Sequence, residues 1–130
     1  MNFKHFLQII PLVFFSAAIF WFSHQSQPPI PDIGFQWQDK LYHFLAYFIY
    51  GLSASLAARA IFPNASRNFV FIFLILAVII YGASDEFHQS FIPGRSSEFA
   101  DWIADILGGI AAALMIMFLS KKEKYQSKNN

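Results

Sequence analysis

Four long stretches of this chain carry almost no charge, and no other feature constrains its fold as strongly. With histidine counted as neutral, residues 7–22, 41–58, 69–84 and 102–119 hold a single charged side chain among them, Asp105. Each runs 16 to 18 residues, a little under the roughly 20 that cross a hydrocarbon core, and snorkelling polar flanks extend such a segment to a full span. The third is the plainest, unbroken apolar from Phe69 to Tyr81. The first contains Pro11, which can kink a helix, and its short basic start at Lys4 also fits the leader of an exported protein. No small-x-small cleavage pattern follows Phe22, so a retained span is expected; a removed leader would leave three.

The fold expected is therefore all-α: an integral membrane four-helix bundle with both termini cytoplasmic. Residues 1–120 form its single transmembrane domain, with spans at about 6–22, 41–60, 69–88 and 101–119, and residues 121–130 form a basic cytoplasmic tail read as solvated and disordered. Charged residues make up 13% of the chain, against about 25% in ordinary soluble domains. A net charge of +1 with no basic stretch in the interior offers no surface for a polyanion, so nucleic acid is not an expected partner. The absence of cysteine excludes disulfides, thiolate metal sites and a cysteine nucleophile.

Orientation follows from the lysines and arginines. Lys4, Arg59, Arg67, Lys121, Lys122, Lys124 and Lys128 share one face, and Lys40 and Arg95 lie on the other. The excess marks the cytoplasmic side. The acids sort oppositely: Asp32, Asp39, Asp85, Glu86, Glu98, Asp101 and Asp105 fall outside or at the outer helix ends, and Glu123 alone is inside. Insertion rules hardly count acids, so this second asymmetry needs its own cause. Trp21, Trp37 and Trp102 fall at the outer interface.

Three polar clusters meet the membrane on that outer side. In the first, steps of four place Asp39, His43 and Tyr47 on one helical face, with Lys40 beside them. In the second, Tyr81, Asp85 and His88 share a face, and Glu86 and Gln89 share the adjacent one. The third joins Arg95 to a stripe of Asp101, Asp105, Gly108 and Ala112, in which two acids precede small residues that let another helix approach. Helix dipoles alone favour Asp39 and Asp101 at N-termini and His24 and His88 at C-termini, by about 0.3–1 kcal/mol each. That accounts for position but not for depth. Asp105 lies more than a turn inside its span, which costs several kcal/mol unless the carboxylate is paired or faces water. Its candidate structural partners are Lys40 and Arg95. Tyr47 and Tyr81 need only a hydroxyl partner, and His24 reads as a solvated loop residue.

These residues support three chemistries. Carboxylates and imidazole can hold a divalent cation such as Zn, Mn or Mg. They can serve as general acid and base. With Lys40, Arg95 and two helix N-termini, they can cage a lipid headgroup phosphate. Spacing alone does not choose among them, and the chain holds no Gly-rich phosphate loop or serine elbow.

The motifs Asp39-Lys40-x-x-His43-Phe44-x-x-Tyr47, Tyr81-Gly82-x-x-Asp85-Glu86-Phe87-His88-Gln89-x-Phe91-x-Pro93-Gly94-Arg95 and Asp101-Trp102-x-x-Asp105-x-x-Gly108 resemble the signature of the VanZ-like family of small bacterial membrane proteins. The match runs from about Asp39 to Gly109, with no departure at the polar positions. The resemblance implies a plasma-membrane protein of the bacterial envelope with a link to resistance against the glycopeptide teicoplanin; it implies no particular reaction.

The function expected is binding or modification of a lipid-linked or phosphate-bearing envelope component in an outward-facing acid, histidine and basic pocket. In an enzymatic version His43, Asp85, Glu86 and His88 are the catalytic candidates. Asp39, Lys40, Tyr47, Tyr81, Gln89, Arg95, Asp101 and Asp105 are then the ligand-binding candidates, and a divalent cation is a possible cofactor. The alternative is a non-enzymatic protein that alters drug access or acts as an assembly partner, its polar cluster being structural. A channel or transporter fits poorly, because the inner halves of the spans have no polar lining except Ser53 and Ser55.

Overall fold

The computed structural model describes residues 3–129, and their side chains through residue 119. Four helices follow one another: α1 (Phe3–Ser23), α2 (Gln38–Ile61), α3 (Arg67–Gln89) and α4 (Phe99–Asn129). There is no strand among the described residues. The apolar spans run 21 to 24 residues, about 32 to 36 Å at 1.5 Å per residue, and so reach across a core of about 30 Å. The extra length over the uncharged stretches comes from polar flanks that join the helices, such as Gln38, Asp39 and Lys40 in α2.

Each boundary has a local cause. Helix α1 runs through Pro11 without a break; the missing N–H leaves the Leu7 carbonyl without its helical donor. Helix α3 starts at Ser66, whose side chain accepts from the Phe69 amide at 3.1 Å. It ends at Gln89, and the chain then reverses in the turn Ile92-Pro93-Gly94-Arg95, closed by Arg95 N to the Ile92 carbonyl at 3.1 Å, with Gly94 at φ 85°. Proline followed by a glycine of positive φ is the composition such a turn requires. Helix α4 continues to Asn129, where the composition led us to expect an irregular tail. Lysine, glutamate and glutamine are good helix formers, and lysines near a C-terminus complement the helix dipole. The expected solvation of the tail's side chains lies outside the described residues.

The bundle is inverted relative to a water-soluble one. Phe14, Ile80, Leu114 and Phe118 are more than half exposed, while Gln89, Asp101 and Asp105 rank among the largest fully enclosed side chains, beside Tyr47, Leu74 and Val78. Lipid tails are as apolar as leucine, so helix association depends on close packing and polar contacts instead of hydrophobic burial. Helices α2 and α4 run in the same direction and provide the closest approach. A Cβ on Gly108 would collide with the Phe44 carbonyl and lie 2.9 Å from the Phe48 amide. One turn on, Gly51 faces Gly109 and Ala112. The small-residue stripe read in the sequence is thus the seam between these two helices. Helix α1 is the most peripheral, with Ile19 and Ser23 as its buried residues.

Candidate functional site

The C-terminal ends of α1 and α3 and the N-terminal ends of α2 and α4 meet at one end of the bundle. Because α2 and α4 are parallel, their polar residues pair in steps of one turn. Lys40 Nζ lies 2.7 Å from Asp101 Oδ1, and it also reaches Glu98 Oε2 at 2.6 Å and Asp39 Oδ2 at 3.3 Å. A turn deeper, His43 Nδ1 lies 2.9 Å from Asp105 Oδ1. Helix α3 adds Glu86, whose Oε1 is 3.9 Å from the same His43 nitrogen and whose Oε2 accepts the Glu98 amide at 3.0 Å. The Lys40 ammonium holds the Glu98 carboxyl below the ordinary carboxylate range.

Asp105 therefore pairs with neither of its two expected basic partners. Lys40 stops a turn short, at Asp101, and Arg95 turns to α3, its Nη2 donating to Gln89 Oε1 at 2.8 Å. The partner of Asp105 is His43, at the matching depth on α2. Room for the carboxylate comes from Gly82, where a Cβ would stand 2.8 Å from Asp105 Oδ2.

A second network ties α3 to α1. Gln89 Nε2 donates to Asp85 Oδ2 at 3.2 Å and to Ser23 Oγ at 3.4 Å, and Tyr81 OH donates to the Ser16 carbonyl at 2.6 Å. His88 stands against α1, its Nε2 3.2 Å from His24 Nδ1, with Phe20 stacked on its ring. His24, expected to be merely solvated, is exposed but paired. Trp102 anchors α4 to α3 through Nε1 to the Ile79 carbonyl at 3.0 Å.

Nine of the twelve sequence-derived candidates thus fall into three groups, with His88 on His24, Tyr81 on the Ser16 carbonyl and Tyr47 outside them. Asp39, Lys40, Asp101 and Glu98 form an outer ion-pair cluster; His43, Glu86 and Asp105 form an inner one; Asp85, Gln89, Arg95 and Ser23 form a third toward α1. Glu98 and Ser23 were not singled out by the motifs. The sign of Glu98 among the outer acids and the depth of Ser23 at the end of α1 are the signals that could have flagged them.

Between α1 and α2 lies a cavity of about 300 Å³. Ile19, Phe22, Ile30, Leu45 and Ile49 line its apolar part, and Asp39, His43, Tyr47, Asp85 and Arg95 supply its polar part. The Tyr47 hydroxyl is buried and has no hydrogen-bond partner among the described residues. On the far side of the inner cluster, a cleft bordered by Ala83, Glu86, Glu98 and Trp102 opens between α3 and α4. His43 of the inner cluster lines the first opening and Glu86 borders the second.

Four helices able to span a membrane, with an enclosed acid and imidazole cluster at one end, define a small polytopic membrane protein whose chemistry is gathered at one depth. The chain belongs to the VanZ/LLP1 family, whose family model matches residues 1–120. No curated protein and no solved structure matches it.

Proposed function

We propose that the protein binds an amphiphile with a charged, phosphate-bearing headgroup, a lipid-linked component of the bacterial envelope. The observation that carries this reading is the cavity between α1 and α2, in which an apolar wall runs directly into Arg95, His43 and the unpartnered Tyr47 hydroxyl. Such a site matches a molecule with one apolar end and one polar end. Arg95 is the cation for a phosphate, and Tyr47 offers a donor at the point where the apolar wall ends. The basic residues at the opposite helix ends favour a plasma-membrane orientation with both termini cytoplasmic and the polar end extracytoplasmic. A contribution to teicoplanin resistance is part of this reading only through the family resemblance.

The test is retention of lipid by the purified protein. Lipids co-purifying with wild type and with Arg95→Ala and Tyr47→Phe proteins are identified by mass spectrometry. A phosphate-bearing amphiphile enriched in wild type and depleted in both variants is expected; equal lipid content in all three overturns the reading. A second reading is favoured by the ion pairs of Lys40 and of His43, which tie α2 to α4: the cluster is scaffold for a non-enzymatic assembly partner. In that case Asp105→Asn reduces membrane accumulation and leaves the lipid content per molecule unchanged.

A further inference from the structure

We propose that His43, Glu86 and Asp105 hold a divalent transition-metal ion between α2, α3 and α4. One ligand atom from each lies within 4.8 Å of the other two. Ligands about 2.0–2.2 Å from a common ion stand roughly 3 to 3.5 Å apart, so a small inward movement of Glu86 completes the set. Two of the acceptors independently point to a missing partner. Among the described residues, Glu86 Oε1 and Asp105 Oδ2 are buried with no hydrogen-bond donor, on side chains 9% and 0% exposed. Buried carboxylate oxygens in that state are costly unless a cation satisfies them.

The other acid and imidazole group, Asp39, His43 and Asp101, is also close enough to chelate. It already has its cation: Lys40 Nζ lies 2.7 Å from Asp101 and 3.3 Å from Asp39. The inner group has no lysine or arginine among its described contacts, and its single histidine is shared between two carboxylates. With an ion present, His43 Nδ1 gives its lone pair to the metal instead of donating to Asp105, and the released Asp105 carboxylate turns to the ion as a ligand. One imidazole with two carboxylates suits Zn²⁺ or Mn²⁺ better than Ca²⁺ or Mg²⁺, which favour all-oxygen shells. Three protein ligands leave at least one coordination position open. Access runs through the α1–α2 cavity, which His43 lines, and through the α3–α4 cleft, which Glu86 borders.

The ion site stands on these atoms alone and does not depend on the amphiphile reading. It would also oppose the negative charge of Asp39 and Asp85 in the cavity, and so favour an anionic headgroup there.

The experiment uses the full chain in detergent, stripped with chelator and titrated with Zn²⁺ or Mn²⁺ alone. Wild type is expected to take up about one ion per chain, to melt at a higher temperature with the ion, and to show imidazole nitrogen coupling in the Mn²⁺ spin-resonance spectrum. Glu86→Gln and Asp105→Asn should each weaken binding by about tenfold or more, while Asp39→Asn binds as wild type does. Should Asp105→Asn fail to fold, Glu86→Gln decides. No ion on wild type, a Mn²⁺ spectrum without nitrogen coupling, or a Glu86→Gln protein that binds as tightly as wild type overturns the proposal. So does binding lost in Asp39→Asn and kept in Glu86→Gln, which would place the ion in the outer group.

Discussion

His43 Nδ1 and Asp105 Oδ1, 2.9 Å apart, join two parallel helices at a depth where their side chains are only 10% and 0% exposed. Removing one partner is expected to hurt more than neutralising the other. His43→Ala leaves Asp105 with both oxygens unpaired, at a cost of about 3 kcal/mol or more. Asp105→Asn keeps the shape and discards the charge, at about 1 kcal/mol. Thermal unfolding in detergent measures both; equal losses would show that the two groups are not energetically coupled.

Glycine substitutions separate crowding from backbone strain. Gly108→Ala drives a methyl into the Phe44 carbonyl of α2, a contact between two backbones that no rotamer relieves, and is expected to cost about 1–3 kcal/mol. At Gly34 an added methyl would meet nothing within 4 Å, but φ is +68°. Gly34→Ala should therefore cost about 1 kcal/mol through strain in an exposed loop, with no change in helix packing. Cross-linking of cysteine pairs across the α2–α4 seam should change for the first variant alone.

Two tyrosines that look alike in sequence should respond with opposite sign. Tyr81→Phe removes a hydrogen bond to Ser16 of 2.6 Å and destabilises by about 1 kcal/mol. Tyr47→Phe removes a buried hydroxyl that has no partner, so the empty protein should be unchanged or stabilised by up to about 1 kcal/mol. The same Tyr47 variant should bind the amphiphile more weakly. Melting temperatures with and without added lipid read both effects.

The helices were legible because exclusion of charge over 16 residues or more has one economical explanation in a bilayer. The buried polar end was legible from Asp105 alone, since a carboxylate that far inside a span must have a partner. The identity of the partner was not. It depends on the rotation and register of α2 against α4, which Gly108 sets by admitting the α2 backbone, and one turn separates Lys40 opposite Asp101 from His43 opposite Asp105. The His24–His88 contact escaped for a related reason: it joins residues 64 positions apart, across a loop whose path no local pattern specifies.

Acidification should loosen the outer cluster. Lys40 depresses the Glu98 carboxyl, and a group whose pKa is lower folded than unfolded contributes stability above its unfolded value and loses it as pH falls through the folded one. The Lys40–Glu98 contribution is therefore complete near neutrality and disappears below the ordinary carboxylate range. Glu98→Gln should be less stable than wild type at pH 7, and the gap should close as pH falls through the lowered Glu98 value. Melting curves of the two proteins across that range test this; a gap independent of pH would mean that the ion pair contributes nothing.

Orientation can be read from two engineered cysteines in a chain that has none of its own. Ser96 lies in the loop between α3 and α4, and Asn64 in the loop between α2 and α3. Seven of the nine lysines and arginines accompany the Asn64 side, and basic residues near span ends are retained in the cytoplasm. Ser96→Cys should then react with a membrane-impermeant thiol reagent in intact cells, and Asn64→Cys only after the cells are opened. Both positions are exposed, so protection reports the membrane and not burial in the bundle. Labelling of Asn64→Cys in intact cells would turn the polar end toward the cytoplasm and remove the envelope ligand, while leaving the His43, Glu86 and Asp105 ion site intact.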